Sequence, residues 1–189
     1  MIFTPTPIDG AFVVAQQRNQ DSRGYFTRTW CAQEFAEHGI NVQMVQSSVS
    51  HNMRRHTVRG MHLQVPPGLE GKLVRCSQGA IYDAIVDLRP RSPTFMQQFG
   101  LELSAENGDA LYVPPLCLHG FQTLRDETQV YYMMTGFYAP GCGEGFRWND
   151  PAFGIAWPAR TQITISERDA SYADFDRSGW VERMRGAPS

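Results

Sequence analysis

The sequence predicts an all-β fold, a sandwich or a barrel, and three observations carry that prediction. Apolar and polar residues alternate with a period of two along several short runs. Turn-forming clusters break the chain at short intervals: Pro66-Pro67-Gly68, Arg89-Pro90-Arg91-Ser92-Pro93, Pro114-Pro115 and Ala139-Pro140-Gly141. Helix signals are sparse. Many short strands with such punctuation favour a sandwich or barrel over a parallel α/β sheet.

Trp30 to His38, closed by Gly39, reads as one short helix. Gly79 to Leu88 reads as a strand, with Tyr82, Ala84, Val86 and Leu88 on one face and Ile81, Asp83, Ile85 and Asp87 on the other. Carboxylates among isoleucines fit the enclosed, partly polar inner wall of a ligand-holding barrel. An edge strand with a solvated face fits the same pattern. Val130 to Tyr138 repeats the alternation and gives Tyr132, Met134, Gly136 and Tyr138 one parity. Ser166 is placed to cap a turn at Glu167-Arg168-Asp169, and Trp180 to Met184 reads as a last short helix. No repeat, low-complexity tract or linker divides the chain, so residues 1–189 are read as one domain.

A net charge of −2 and a pI near 6.2 give no global pull toward nucleic acid or membrane. Cys31, Cys76, Cys117 and Cys142 form no C-x-x-C pair, so neither a zinc knuckle nor a redox motif is indicated. The N-terminal residues lack a basic region followed by an apolar run, and no apolar stretch reaches membrane-spanning length. The expectation is a cytoplasmic protein with reduced thiols.

One residue stands out chemically. Of 17 lysines and arginines only Lys72 is a lysine. At that position a compact ammonium has been kept where a guanidinium serves everywhere else; the rival reading is compositional accident. Lys72 lies ten residues after His62. An imidazole to take a proton beside a carbonyl, with an ammonium to stabilise the enolate oxygen, is a working pair for carbon-acid chemistry.

From about Gln20 to Pro158, and again at Ile165 to Asp169, the chain resembles the dTDP-4-dehydrorhamnose 3,5-epimerases. The resemblance rests on Asp21-Ser22-Arg23-Gly24-Tyr25-Phe26, Val58-Arg59-Gly60-Met61-His62, Gly71-Lys72-Leu73-Val74-Arg75 and Val86-Asp87-Leu88-Arg89. It continues through Ser92-Pro93-Thr94-Phe95, Leu103-Ser104-Ala105-Glu106-Asn107, His119-Gly120-Phe121 and Trp148-Asn149-Asp150-Pro151. It implies a cupin-type jelly-roll β-barrel with a few short peripheral helices. It also implies a homodimer that exchanges N-terminal strands, and catalysis without metal or cofactor on a nucleotide-linked 4-keto-6-deoxyhexose.

By the same resemblance His62 is the general base, Asp169 its partner, Lys72 the group near the keto oxygen and Tyr132 the general acid. Arg23, Phe26, Gln46, Ser48, Arg59, His119 and Glu144 fall at substrate-contact positions. Tyr138 falls at the ring that stacks on the nucleotide base, and Arg168 near the phosphates. Arg28 stands where the family has a glutamate, and Ser48 where it has an asparagine, both at nucleotide contacts. On the residues alone Asp83 is the alternative partner for His62. His62 and His119 lack the companion ligands of metal-binding cupins. The implied reaction is epimerisation at C3 and C5. Single-centre epimerisation, ketone isomerisation, or nucleotide-sugar binding without turnover are the alternatives.

Overall fold

The computed structural model describes residues 1–186. Its thirteen strands are β1 (Ile2–Pro5), β2 (Phe12–Ala15), β3 (Asn19–Asp21), β4 (Gly24–Phe26), β5 (Gln46–Asn52), β6 (Val58–Gln64) and β7 (Lys72–Gln78), then β8 (Ala80–Asp87), β9 (Gln98–Ser104), β10 (Ala110–Val113), β11 (Cys117–Thr123), β12 (Thr128–Met134) and β13 (Gly143–Gly145). Three short helices accompany them: α1 (Ala32–Ala36), α2 (Glu167–Ala170) and α3 (Arg177–Arg183). A six-stranded sheet in the order β1-β2-β10-β7-β12-β5 faces a five-stranded sheet in the order β13-β6-β11-β8-β9, and β3 and β4 form a separate hairpin. This is the all-β, jelly-roll architecture expected. Among the described residues no helix is long and apolar enough to cross a membrane.

The core between the sheets is built from alternating residues. Ile81 and Ile85 of β8, Cys117 and Phe121 of β11, and Val74, Val113 and Val130 from the opposite sheet are all buried together. Truncating a side chain such as Phe121, 1 % exposed, to alanine costs about 3–5 kcal/mol in such a setting. The other face of β8 is buried too. Ala84, Val86 and Leu88 pack under Trp148, Phe153, Trp157, Phe175 and Trp180 of the C-terminal segment. The edge-strand reading of Gly79 to Leu88 therefore fails: β8 is an interior strand covered on both sides, and its carboxylates are enclosed.

Two local expectations needed adjustment. The first helix is shorter than the predicted Trp30 to His38 run, with Gly39 beyond it at φ +79. The strand predicted from Val130 to Tyr138 stops at Met134, so Tyr138 lies in a loop and its parity with Tyr132 is incidental. The helix starts at Ser166 and Asp176 are both capped: Ser166 accepts from Asp169 N and Asp176 from Ser178 N.

Candidate active site

The site begins with two glycines. In β6, Arg59 and His62 have opposite parity and a regular strand would send them to opposite faces. The β6–β11 register shifts between His119 and Phe121, so His62 sits opposite His119 and Arg59 opposite Phe121, both inward-facing positions. This kink requires close backbone approach. A Cβ on Gly60, at φ +132, would lie 2.6 Å from Gly120 Cα, and one on Gly120 would lie 2.5 Å from Met61 Sδ. The glycines of Val58-Arg59-Gly60-Met61-His62 and His119-Gly120-Phe121 thus serve one purpose, turning two polar side chains into the barrel.

His62 Nε2 is 2.8 Å from Asp169 Oδ1. An ionised carboxylate only accepts, so the proton between them belongs to Nε2 and the lone pair of the imidazole is at Nδ1. The second oxygen, Oδ2, accepts from Gly60 N at 3.3 Å. Burial alone would push the Asp169 carboxyl up; the His62 and Gly60 hydrogen bonds, with the nearby Arg168 charge, outweigh it and hold it below the ordinary carboxylate range. The side chain of His62 remains 40 % exposed while that of Asp169 is 8 % exposed. Tyr172 packs edge-on against the His62 ring at 6.0 Å, and its hydroxyl accepts from Arg168 Nε at 2.8 Å.

His62 opens onto a cavity of about 220 Å³ whose walls include Lys72, Tyr138, Glu144 and Arg168. Lys72 Nζ is paired with Glu70 Oε1 at 2.5 Å, both side chains almost buried. Glu144 is held by Arg183 Nη2 at 2.6 Å. Gln46 braces the loop of Tyr138, its Oε1 accepting from Tyr138 N at 3.3 Å. Tyr138 is 66 % exposed at the mouth.

Deeper in the barrel is a second pair. His119 Nε2 is 2.8 Å from Asp83 Oδ1, and both are buried. Asp83 is therefore committed to His119, which overturns its alternative assignment to His62; Asp169 reaches His62 from α2 instead. Tyr132, on the opposite sheet, packs edge-on against the His119 ring at 6.1 Å. Burial and, secondarily, the Asp83 charge push its phenol well up, with Arg59 opposing. Arg59 is itself oriented by Asn52 Oδ1 at 2.7 Å and the His51 carbonyl at 3.3 Å.

Of the expected site residues, Asp169, Tyr132, Arg59, His119, Gln46, Arg23, Phe26 and Ser48 do not line this cavity. Arg23 and Phe26 belong to the exposed β3–β4 hairpin, where Arg23 pairs with Asp21 at 2.7 Å and Phe26 is 76 % exposed. Ser48 is exposed on β5, an outer strand of the six-stranded sheet, opposite Tyr132. Arg28 is tied to Glu34 at 2.7 Å. Sequence reasoning missed Gln64, Glu70 and Tyr172. Gln64 carried a signal, since it shares strand parity with His62. Among the described residues no cluster of three or more His, Cys, Asp or Glu is arranged to hold a metal ion.

Comparison with known proteins identifies the family. The family model described as dTDP-4-dehydrorhamnose 3,5-epimerase matches residues 5–177. The curated dTDP-4-dehydrorhamnose 3,5-epimerase of Sinorhizobium fredii is 39 % identical over 171 residues, covering 90 % of this chain and 88 % of that protein. The Bacillus anthracis dTDP-4-dehydrorhamnose 3,5-epimerase crystal structure, with TDP and PPi bound, superposes with a TM-score of 0.88 at 36 % identity, covering 92 % of this chain and 99 % of that one. The Legionella pneumophila enzyme in complex with dTDP-4-keto-L-rhamnose gives 0.86 at 32 % identity, covering 92 % of each chain. Fold, ordered motifs and these matches together establish that the chain belongs to the dTDP-4-dehydrorhamnose 3,5-epimerase family.

Proposed function

We propose that this chain is an isomerase that inverts C3 and C5 of dTDP-4-dehydro-6-deoxy-D-glucose to give dTDP-4-dehydro-L-rhamnose, without metal or cofactor. The observation that carries the reading is the His62–Asp169 pair opening onto the cavity walled by Lys72. The 4-keto group acidifies the C–H bonds on either side of it. His62 takes a proton at Nδ1, and Asp169 stabilises the imidazolium. Lys72 donates to the oxygen that becomes an enolate. Tyr132, on the facing sheet, returns a proton to the opposite face of the sugar. Two walls of one barrel thereby supply base and acid to two faces of one ring.

Tyr138 at the mouth offers its face to the nucleotide base, and Arg168 its guanidinium to the pyrophosphate. Arg59, His119, Glu144 and Gln46 are assigned to hold or brace the substrate. Arg23 and Phe26 complete a site only if a second copy is present, whereas Ser48 shares the face of Tyr132 within its own chain. We therefore place the chain in a homodimer in which each exposed β3–β4 hairpin reaches the cavity of its partner. A cytoplasmic setting is in keeping with the four free cysteines.

Proton NMR of the candidate dTDP-4-keto sugar with the purified chain in deuterium oxide tests the reading. Deuterium at both C3 and C5 with inverted product is expected. Exchange at one centre alone would reassign the chain as a single-centre epimerase, and no exchange would leave only a binding role.

A further inference from the structure

Lys72 carries an apparent contradiction. The group assigned to stabilise an enolate oxygen already has a carboxylate 2.5 Å away. Glu70 is not a loose surface charge; its side chain is 10 % exposed, and its other oxygen, Oε2, accepts from Gln64 Nε2 at 3.0 Å. Gln64, 5 % exposed, in turn clamps the segment around Tyr138 from both sides. Its Nε2 donates to the Phe137 carbonyl at 3.3 Å and its Oε1 accepts from Ala139 N at 2.9 Å. Lys72, Glu70 and Gln64 therefore form one continuous chain of polar contacts. It runs from the sugar end of the cavity to the loop at the nucleotide end.

We propose that Glu70 and Gln64 are positioning residues that fix the Lys72 ammonium and the Tyr138 loop as one unit. An ammonium has three N–H donors; Glu70 occupies one and orients the other two toward the keto oxygen. The carboxylate also offsets the cost of burying the cation. Because Gln64 holds both Glu70 and the backbone beside Tyr138, displacement at either end disturbs the other. This inference rests on the proposed epimerase reading and deepens it.

Hydrogen-bond polarity makes the unit testable. In Glu70→Gln the new amide can turn its oxygen to Lys72, but its NH₂ then meets the NH₂ of Gln64. Gln64 cannot flip to accept without losing Ala139 N. The apparently conservative change therefore breaks the clamp far from Lys72, and it should weaken binding of plain dTDP, which lacks the keto sugar altogether. Calorimetric titration with dTDP is expected to show a loss of about tenfold in Glu70→Gln, the usual worth of one charge-assisted hydrogen bond. Gln64→Met, which removes the clamp directly, should lose a similar amount. The exchanged pair Glu70→Gln with Gln64→Glu restores the contact between the two side chains but leaves the Phe137 carbonyl without its donor, so it should recover only part of the lost affinity. Lys72→Met, which leaves the nearly buried Glu70 without its cation, should lower dTDP affinity as well. Unchanged dTDP affinity in both single variants overturns the inference while leaving the epimerase reading intact. A parent chain that binds no dTDP removes both.

Discussion

The barrel holds two histidine–aspartate pairs with the same 2.8 Å contact through Nε2, and they have different fates. His62–Asp169 lies at the cavity wall, with the histidine half-exposed and both carboxylate oxygens partnered. His119–Asp83 is almost wholly buried, and Asp83 Oδ2 has no partner among the described residues. Pair geometry alone therefore does not make a base. Access does: a histidine exchanges protons with a substrate only where its other nitrogen meets the cavity. The buried pair is better suited to shaping the surroundings of Tyr132, against which His119 packs.

That contrast is open to being broken, beginning with its largest expected effect. His62→Ala should lose exchange and inversion together, by about a hundredfold to ten-thousandfold, as read from deuterium incorporation and product formation. Deuterium exchange at the parent rate in that variant would move the base elsewhere, with His119 the next candidate. Lys72→Arg should cost about a hundredfold to a thousandfold in turnover. The guanidinium keeps the charge but cannot fit the gap occupied by an ammonium between Glu70 and the cavity. Near-parent turnover would mean that the lone lysine is a compositional accident.

Smaller effects sharpen the comparison. Mixing an Arg23→Ala copy with a His62→Ala copy should restore activity to about a quarter of the parent value at random assortment. That result follows only if the hairpin of one copy serves the cavity of another; an inactive mixture would return each site to a single chain. Acid titration reads the His62 pair directly. The Asp169 carboxyl is held below its unfolded value of about 3.9, so its stabilising contribution is complete above that pH and is lost as pH falls through the lowered folded value. Asp169→Asn should therefore flatten the acid limb of a thermal-unfolding profile below about pH 4. An unaltered limb would show that Asp169 contributes nothing through its charge.

Much of this was legible in the sequence, and the exceptions have physical causes. Alternation and turn clusters predicted an all-β fold because a period of two survives wherever one face of a strand meets a core. The same logic could not choose between an enclosed inner wall and a solvated edge for β8, since the neighbouring strands β9 and β11 and the C-terminal segment carrying Trp148, Trp157 and Trp180 are distant in sequence. Several ordered motifs turned out to be architectural. Asp87 receives Arg89, Ser92 and Thr94, so Val86-Asp87-Leu88-Arg89 and Ser92-Pro93-Thr94 close one turn. Asp150 of Trp148-Asn149-Asp150-Pro151 accepts from Ala152 N and Phe175 N and clasps the covering segment. Lys72 was visible through its rarity. Glu70 was not, and strand parity showed only the face of Gln64, because their importance lies in contacts across the β6–β7 turn and to residues 137–139. The partner of His62 could not be chosen by spacing either: both Asp83 and Asp169 pair with a histidine, and only the fold decides which.

Tyr132→Phe separates the proposed acid on one wall of the barrel from the proposed base on the other. In deuterium oxide, His62 should still remove a proton and Lys72 still hold the enolate, while no phenol is present to deliver a proton from the other face. Deuterium should enter C3 or C5 with retained configuration, while epimer formation falls by about a hundredfold to ten-thousandfold. Inverted product forming at the parent rate would contradict that assignment.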